Sequence, residues 1–342
     1  MEKKNIDWSS LGFSYMKTDW RYSRIWEDGQ WKEGGLTDKA EVTISECAGV
    51  LQYAQTGFEG LKVYETVKGE VVAFRPDLNA ERLQGTCDRL IMPKISTEDF
   101  LAALDELVKA NLAYVPPYGS GASLYIRPFI YGCGPVIGVA PAPSYEFRMF
   151  CTPVGAYFKG GVKPIRIMLS DFDRAAPHGT GHIKAGLNYA MSLYAGEMAH
   201  KLGYNENMYL DAATRTYVEE TGGANFIFIT KDGKKLVTPK SDSILPSITR
   251  RSLTVVAKDY LGLEVEERPV AFSEVPSFAE VGLCGTAAVI SPVGEIHTKD
   301  GDIKVPSGMA EMGPVLTKLR ETITGIQMGT VEAPEGWIHR IC

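Results

Sequence analysis

Gly179-Thr180-Gly181-His182-Ile183-Lys184-Ala185-Gly186-Leu187-Asn188-Tyr189 is the stretch from which the rest of the chain is read. Its lysine stands in a glycine-flanked turn with apolar residues close by and no acid beside it. Desolvation in such a setting disfavours the charged ammonium and leaves a nucleophilic amine suited to Schiff-base chemistry. That setting carries little by itself, because most lysines are solvated surface charges. Leu187 to Leu202 reads as a helix closed by His200, Lys201 and Gly203, so Lys184 lies just before a helix N-terminus. Tyr189, early in the helix, can aim its hydroxyl back toward the same space, although read alone it is more simply a core aromatic. His178 and His182 are four apart, but Gly179 and Gly181 make a helix there improbable, so no metal site is expected. The glycines do not form G-x-G-x-x-G, since Lys184 occupies the third glycine position.

Working outward, the first half reads as strands mixed with a few helices. Val71 to Phe74, Ser123 to Tyr131 and Phe147 to Cys151 are rich in β-formers. Ser96 to Tyr114 carries apolar residues at helical spacing, with Ser96 or Thr97 as cap and Pro116-Pro117 as stop. Glycines and a proline from Gly155 to Pro164 interrupt two strand-like stretches. The reading is therefore a small N-terminal α/β domain over 1–157, a linker over 158–164, and a large C-terminal domain over 165–342 that carries Lys184. In that second half a strand at Ile165 to Leu169 precedes the helix. A hairpin then joins Phe226-Ile227-Phe228-Ile229 to Leu236-Val237 through Lys231-Asp232-Gly233, and a helix follows from Ser247 to Tyr260.

Composition narrows the function. The chain has 342 residues, 44% hydrophobic and 23% charged, which suits two domains with ample core. A net charge of −6 argues against nucleic acid or a membrane surface as partner, since either wants a basic face. No segment reaches ~18 apolar residues, and Met1 to Trp8 has charges with no apolar stretch behind them, so a cytoplasmic protein is expected. Six cysteines without C-x-x-C spacing suit reduced thiols.

Further segments carry possible chemistry. Glu219-Glu220 enters the glycine turn Thr221-Gly222-Gly223-Ala224. Glycine there lets a ligand approach the backbone, and Glu220 is placed to hold a ring nitrogen protonated, although solvated turn acids read the same way. Leu245-Pro246-Ser247-Ile248-Thr249-Arg250 opens a helix whose free N–H groups and Thr249 hydroxyl suit an anion. Gly285-Thr286-Ala287-Ala288 is a second, nest-like turn of small residues.

Together these segments resemble the branched-chain amino acid aminotransferases, pyridoxal 5'-phosphate enzymes of fold type IV. The resemblance spans nearly the whole chain. It rests on Gly57-Phe58-Glu59-Gly60-Leu61-Lys62, Asn79-Ala80-Glu81-Arg82, Leu124-Tyr125-Ile126-Arg127-Pro128, Lys184-Ala185-Gly186-Leu187-Asn188-Tyr189, Glu220-Thr221-Gly222-Gly223, Ser243 to Arg250, and Gly285 to Ala288, in that order. It implies a mixed α/β, two-domain architecture like that of D-amino acid aminotransferase. It also implies that Lys184 is the catalytic lysine that carries the cofactor, that Glu220 pairs with the pyridine nitrogen, and that Tyr189 binds the ring hydroxyl. Arg82, Ile248, Thr249 and Thr286 would hold the phosphate, with Gly223 beside the cofactor; only the resemblance gives Arg82 a role. The substrate side chain would lie among Tyr53, Phe58 and Tyr125, with its carboxylate near the Thr286-Ala287 backbone. Arg127 and Tyr53 are the candidates to receive the side-chain carboxylate of glutamate. Ile137 and Val139, in Pro135-Val136-Ile137-Gly138-Val139, would enter the pocket of a second copy, making a homodimer the expected unit. The expected reaction is ping-pong transamination of L-leucine, L-isoleucine and L-valine with 2-oxoglutarate. The C-x-x-C pair of animal members is replaced by Ala288 and Ser291, so a redox switch of that kind is not expected. The D-amino acid aminotransferases and aminodeoxychorismate lyases share the fold, but are usually shorter and lack the long N-terminal segment with Phe58 in G-F-E-G-L-K.

Overall fold

A computed structural model describes residues 2–155 and 162–342; the expected linker over 158–164 lies in part, at 158–161, outside the described residues. The chain divides into two compact units. One comprises Met1–Tyr157, Ile183–Gly186 and Ile326–Cys342, the other Phe158–His182 and Leu187–Gly325. A single cut near residue 157 therefore does not describe the division, and Lys184 belongs with the first unit rather than with the C-terminal half. The reason is hydrogen bonding: Phe58 N–H donates to the Lys184 carbonyl at 3.0 Å, and Gly57 and Ala185 form an antiparallel bridge. The C-terminal residues join the same unit because Ile338–Arg340 pairs antiparallel with Val71–Phe74.

The first unit is built on a nine-stranded sheet. Its main path runs Ile338–Arg340, Val71–Phe74, Leu61–Glu65, Ser123–Gly132, Tyr145–Val154, Arg21–Glu27, Gln30–Trp31, and every pair is antiparallel. Thr56–Phe58 adds to Ser123–Gly132, with Phe58 opposite Phe129. Three helices accompany the sheet: α1 (Gly49–Tyr53), α2 (Pro76–Leu90) and α3 (Thr97–Ala110).

Ser96 caps α3, its hydroxyl accepting from Asp99 N–H at 3.0 Å, as the sequence suggests. The helix ends earlier than its apolar spacing predicts. Asn111 donates its side-chain amide to the Leu107 carbonyl at 2.8 Å and accepts from Trp20 N–H at 3.1 Å, closing the helix, so that Leu112–Tyr114 continues only as a 3-10 turn. Phe100, Leu104 and Leu107 on α3 and Leu83 on α2 bury completely in one core with Leu124, Ile126 and Phe147. Each such side chain contributes about 1.5–3 kcal/mol by burial, and Leu104→Ala would cost ~2–5 kcal/mol. Helix α2 also turns two buried polar residues inward, Asn79 and Thr86, alongside Leu83. Positions three, four and seven apart share one helical face, so both polar groups need partners there.

The second unit is built on an eight-stranded sheet in the order Glu206–Met208, Ile165–Leu169, Val289–Thr298, Glu280–Gly285, Asn225–Ile229, Lys235–Pro239, Glu264–Arg268. It is mixed: Ile165–Leu169 runs parallel to both its neighbours, and Lys235–Pro239 parallel to Glu264–Arg268. The expected hairpin is present, Phe228 facing Val237, with Gly233 at φ 69° supplying the left-handed turn residue. Phe226, Phe228, Val281, Leu283, Val293 and Ile296 form its core. Its helices are α4 (Gly186–Lys201), α5 (Ile248–Val255) and α6 (Pro314–Met328). Ser247 caps α5 through Arg250 N–H at 3.2 Å, and beyond Val255 the helix relaxes into a π turn over Val256–Tyr260.

Candidate active site

Lys184 is half-buried, and its Nζ lies 4.7 Å from the centre of the Phe58 ring. Arg127 lies over the same ring at 4.9 Å and over Tyr125 at 5.3 Å, while its Nη2 donates to the Tyr125 hydroxyl at 2.9 Å. Four residues singled out in the sequence, Phe58, Tyr125, Arg127 and Lys184, thus meet at one place, with two cations on aromatic faces. Gly60 makes the packing possible, since a Cβ there would lie 2.2 Å from the Tyr125 hydroxyl oxygen. The Nε of Arg127 is buried without a hydrogen-bond partner among the described residues. A buried, unsatisfied guanidinium N–H beside aromatic walls suits an anionic ligand.

Arg82 is oriented by a carboxylate that the sequence does not single out. Its Nε and Nη2 donate to the two carboxylate oxygens of Glu59 at 2.8 and 2.7 Å, and Asn79 donates to Glu59 Oε2 at 2.7 Å. Glu59 is wholly inaccessible to solvent. The fork fixes the guanidinium plane bidentately, as only arginine allows.

Tyr53, on α1, donates its hydroxyl to the Ile137 carbonyl. Pro135 bridges to Ala48, and Val136 N–H donates to the Cys47 carbonyl at 2.8 Å. This anchors the 135–139 segment while Ile137 and Val139 stay 78% and 90% exposed. Large apolar side chains left in solvent on an anchored backbone suit a protein contact.

In the second unit Glu220 is buried and held through both carboxylate oxygens. Its Oε1 accepts from Leu245 N–H at 2.8 Å and from Arg174 Nη2 at 2.6 Å, and its Oε2 accepts from Asn225 Nδ2 at 2.7 Å. Arg174 Nη2 also donates to the carbonyls of Gly181 and Ser243 at 2.8 and 2.6 Å. A Cβ at Gly181 would lie 2.0 Å from the Ser243 carbonyl oxygen, so glycine is required for that approach. Neighbouring Glu219 turns elsewhere, accepting from Ser241 at 3.1 Å and from Ser243. Tyr189 is half-buried in the first turn of α4, next to Asn188, whose side chain exchanges hydrogen bonds with Thr180 at 2.7 Å in each direction.

The anion-binding expectations have a clear backbone basis. At the start of α5 the Ser247 hydroxyl takes the third amide, that of Arg250, and the amides of buried Ile248 and Thr249 belong to the first turn, where a helix supplies no i−4 carbonyl of its own. Thr286 and Ala287 lie in the turn between two antiparallel strands, where Gly285 pairs with Val289. Val289 closes that turn at φ 64°, a left-handed conformation costly for a β-branched residue and of the kind found at ligand sites. Gly223 approaches the same turn, its carbonyl oxygen 3.6 Å from a Cβ placed on Gly285. Burial raises the Cys284 thiol to about 12, so the cysteine nearest this turn is inert at neutral pH.

Sequence reasoning missed four residues in this arrangement: Glu59, Thr86, Arg174 and Asn225. Asn79, Arg82 and Thr86 stand three and four apart on α2, a spacing that signals one helical face. No local pattern announces Arg174.

Residues 56–296, more than half of the chain, match the family model described as amino-transferase class IV. A branched-chain-amino-acid aminotransferase of Haemophilus influenzae is 51% identical over 343 residues, covering 99% of each chain. The chain belongs to the branched-chain amino acid aminotransferase family. Its structure resembles that of the branched-chain amino acid aminotransferase from Escherichia coli, with TM-score 0.81 and 28% identity over 95% of this chain and 100% of that one. The T.th. branched-chain amino acid aminotransferase complexed with N-(5'-phosphopyridoxyl)-L-glutamate superposes with TM-score 0.77 at 27% identity, over 96% and 100% of the two chains. The family gives the chain its fold type IV architecture and branched-chain aminotransferase activity. Among the described residues no helix is long and apolar enough to cross a membrane.

Proposed function

We propose that the protein exchanges the amino group of L-leucine, L-isoleucine or L-valine with 2-oxoglutarate, in the cytoplasm, by a ping-pong mechanism that uses pyridoxal 5'-phosphate. The observation that carries this reading is the meeting of Lys184 and Arg127 on the Phe58 ring. One amine and one guanidinium on an apolar wall suit a substrate whose side chain alternates between hydrocarbon and carboxylate. The complex of the T.th. relative with a phosphopyridoxyl glutamate supports the same pairing of cofactor and second substrate.

The residues present fit the cofactor. The first-turn amides of Ile248 and Thr249 in α5 suit a phosphate, as do the Thr286 turn and the fixed guanidinium of Arg82. Glu220, buried and oriented by three donors, suits a protonated ring nitrogen. When bound, pyridoxal 5'-phosphate supplies the carbonyl that accepts the amino group and the ring that draws electrons from the substrate Cα.

Each side chain then has a task. Lys184 Nζ would hold the cofactor and, as a free amine, would take and return the proton of the substrate Cα. Glu220 keeps a proton on the ring nitrogen, and the Tyr189 hydroxyl holds the ring oxygen. Gly223 lets the ring lie close to the backbone, and the Thr286-Ala287 backbone receives the substrate carboxylate. Phe58, Tyr125 and Tyr53 exclude water around the aliphatic side chain. Arg127, with Tyr53, receives the distal carboxylate of glutamate. Ile137 and Val139 reach the pocket of a second copy, and the working unit is a homodimer.

A half-reaction titration tests this reading. Cofactor-loaded protein is mixed with one amino acid at a time, and the cofactor absorbance is followed. L-leucine, L-isoleucine, L-valine and L-glutamate are expected to convert it, and D-alanine to leave it unchanged. Conversion by D-alanine or aminodeoxychorismate with none by the branched-chain L-amino acids would overturn it.

A further inference from the structure

Thr86 lies on α2 with no solvent exposure. Its hydroxyl donates to the Arg82 carbonyl at 3.1 Å and accepts from the Lys184 backbone N–H at 3.1 Å, a partner 98 residues away in sequence. Its methyl is equally constrained, because a Cβ on Gly57 would lie 2.6 Å from Thr86 Cγ2. Both branches of the side chain are therefore committed, and one rotamer is set. The other face of the Lys184 peptide is held as well, its carbonyl accepting from Phe58 N–H at 3.0 Å. With both backbone groups fixed, the direction in which Lys184 leaves the chain is fixed too.

A threonine inside a helix ordinarily bonds its own i−4 carbonyl and stops there. Thr86 does that and turns its lone pair to the catalytic lysine. The same helix presents Arg82 one turn earlier, ~6 Å along the axis. We propose that Thr86 is a positioning residue: its hydroxyl holds Lys184 at the distance and angle from Arg82 that cofactor attachment requires. Helix α2 thus sets the spacing between the group that links the cofactor and a group that grips its phosphate. The proposal rests on the reading of Lys184 and Arg82 as cofactor residues.

The chemistry distinguishes this from packing. Valine fills the volume of threonine but removes the acceptor that the Lys184 N–H uses, and alanine removes the hydroxyl with less demand on packing. Serine keeps the hydroxyl and loses only the methyl. Cofactor-depleted protein would be titrated with pyridoxal 5'-phosphate for Thr86→Val, Thr86→Ala, Thr86→Ser and Lys184→Ala, followed by absorbance, with borohydride trapping and peptide mapping to locate the link. Thr86→Val and Thr86→Ala are expected to weaken cofactor binding about tenfold. They should also move the pH midpoint of the lysine-linked absorbance band, which a merely structural role would leave in place. Thr86→Ser should stay within about twofold of the parent. Equal affinity and equal pH midpoint in the serine and alanine variants would overturn the proposal, whether or not the valine variant folds. A lysine-linked band that persists at its parental position in Lys184→Ala would instead overturn the reading of Lys184.

Discussion

In the first unit Lys184 is fixed through its backbone, by an amide and a carbonyl that reach Thr86 and Phe58. In the second, Glu220 is fixed through its carboxylate, by Arg174, Asn225 and the Leu245 amide. The difference matches the work proposed for each. A lysine proposed to carry a cofactor and move protons needs a side-chain end able to move, so restraint on its main chain suits it. A buried carboxylate proposed to pair with a ring nitrogen is best held by donors on both oxygens, so restraint on the side chain itself suits it. Between them stands Arg82, a cation whose side chain is fixed like that of Glu220 but in the unit that fixes Lys184.

The contrast can be broken in graded ways. Lys184→Ala should lower turnover with L-leucine by roughly 10²–10⁴-fold or more, measured in steady state with saturating cofactor, and leave unfolding little changed. Glu59→Leu tests restraint by side chain in the first unit. It removes the buried carboxylate that forks the Arg82 guanidinium and should destabilise the protein by ~3–5 kcal/mol in urea unfolding. Equal stability would mean that the Glu59 carboxylate is not what holds Arg82. The two helix caps separate structure from site: Ser96→Ala on α3 and Ser247→Ala on α5 should each cost about 1 kcal/mol. Only Ser247→Ala should also weaken cofactor binding, because its helix start is the one proposed to hold phosphate.

The smallest effect is expected on the surface of the second unit. There Arg268 hydrogen-bonds Glu274 and holds its carboxyl below the usual range. A depressed native value means that the pair stabilises above the unfolded carboxyl's range, and that this contribution fades as pH falls through the native value. Being more than a third exposed, the pair is screened, and Glu274→Gln should cost no more than about 0.5 kcal/mol at pH 7. The difference from the parent should shrink as pH falls below the ordinary carboxylate range and shrink in high salt.

Some of this was legible in the sequence for local reasons. Ser96 and the apolar spacing behind it announce α3, and Lys231-Asp232-Gly233 announces a hairpin. Lys184 and Glu220 are noticeable because glycines surround them. What escaped was long-range. The apolar pattern overruns the end of α3 because its stop signal is the hydrogen bonding of Asn111 to Trp20, 91 residues away. Glu59 and Arg82 are 23 residues apart, and Arg174 reaches Ser243 across 69. Lys184 falls outside the C-terminal unit because its main-chain partners, Phe58 and Thr86, lie more than a hundred and nearly a hundred residues upstream. Periodicity and capping report on neighbours along the chain and carry no signal for such pairings.

The strand Ile338–Arg340 has a bearing on biosynthesis. It lines the edge of Val71–Phe74, and Ile341 N–H donates to the Val71 carbonyl at 2.9 Å. A ribosome makes the partner of that edge more than two hundred and fifty residues after the edge itself. Until then Val71–Phe74 presents unpaired amides and carbonyls, an open template for a wrong strand. The sheet of the first unit is therefore complete only once residues 338–340 have emerged, and a chain cut before them would be exposed at that edge.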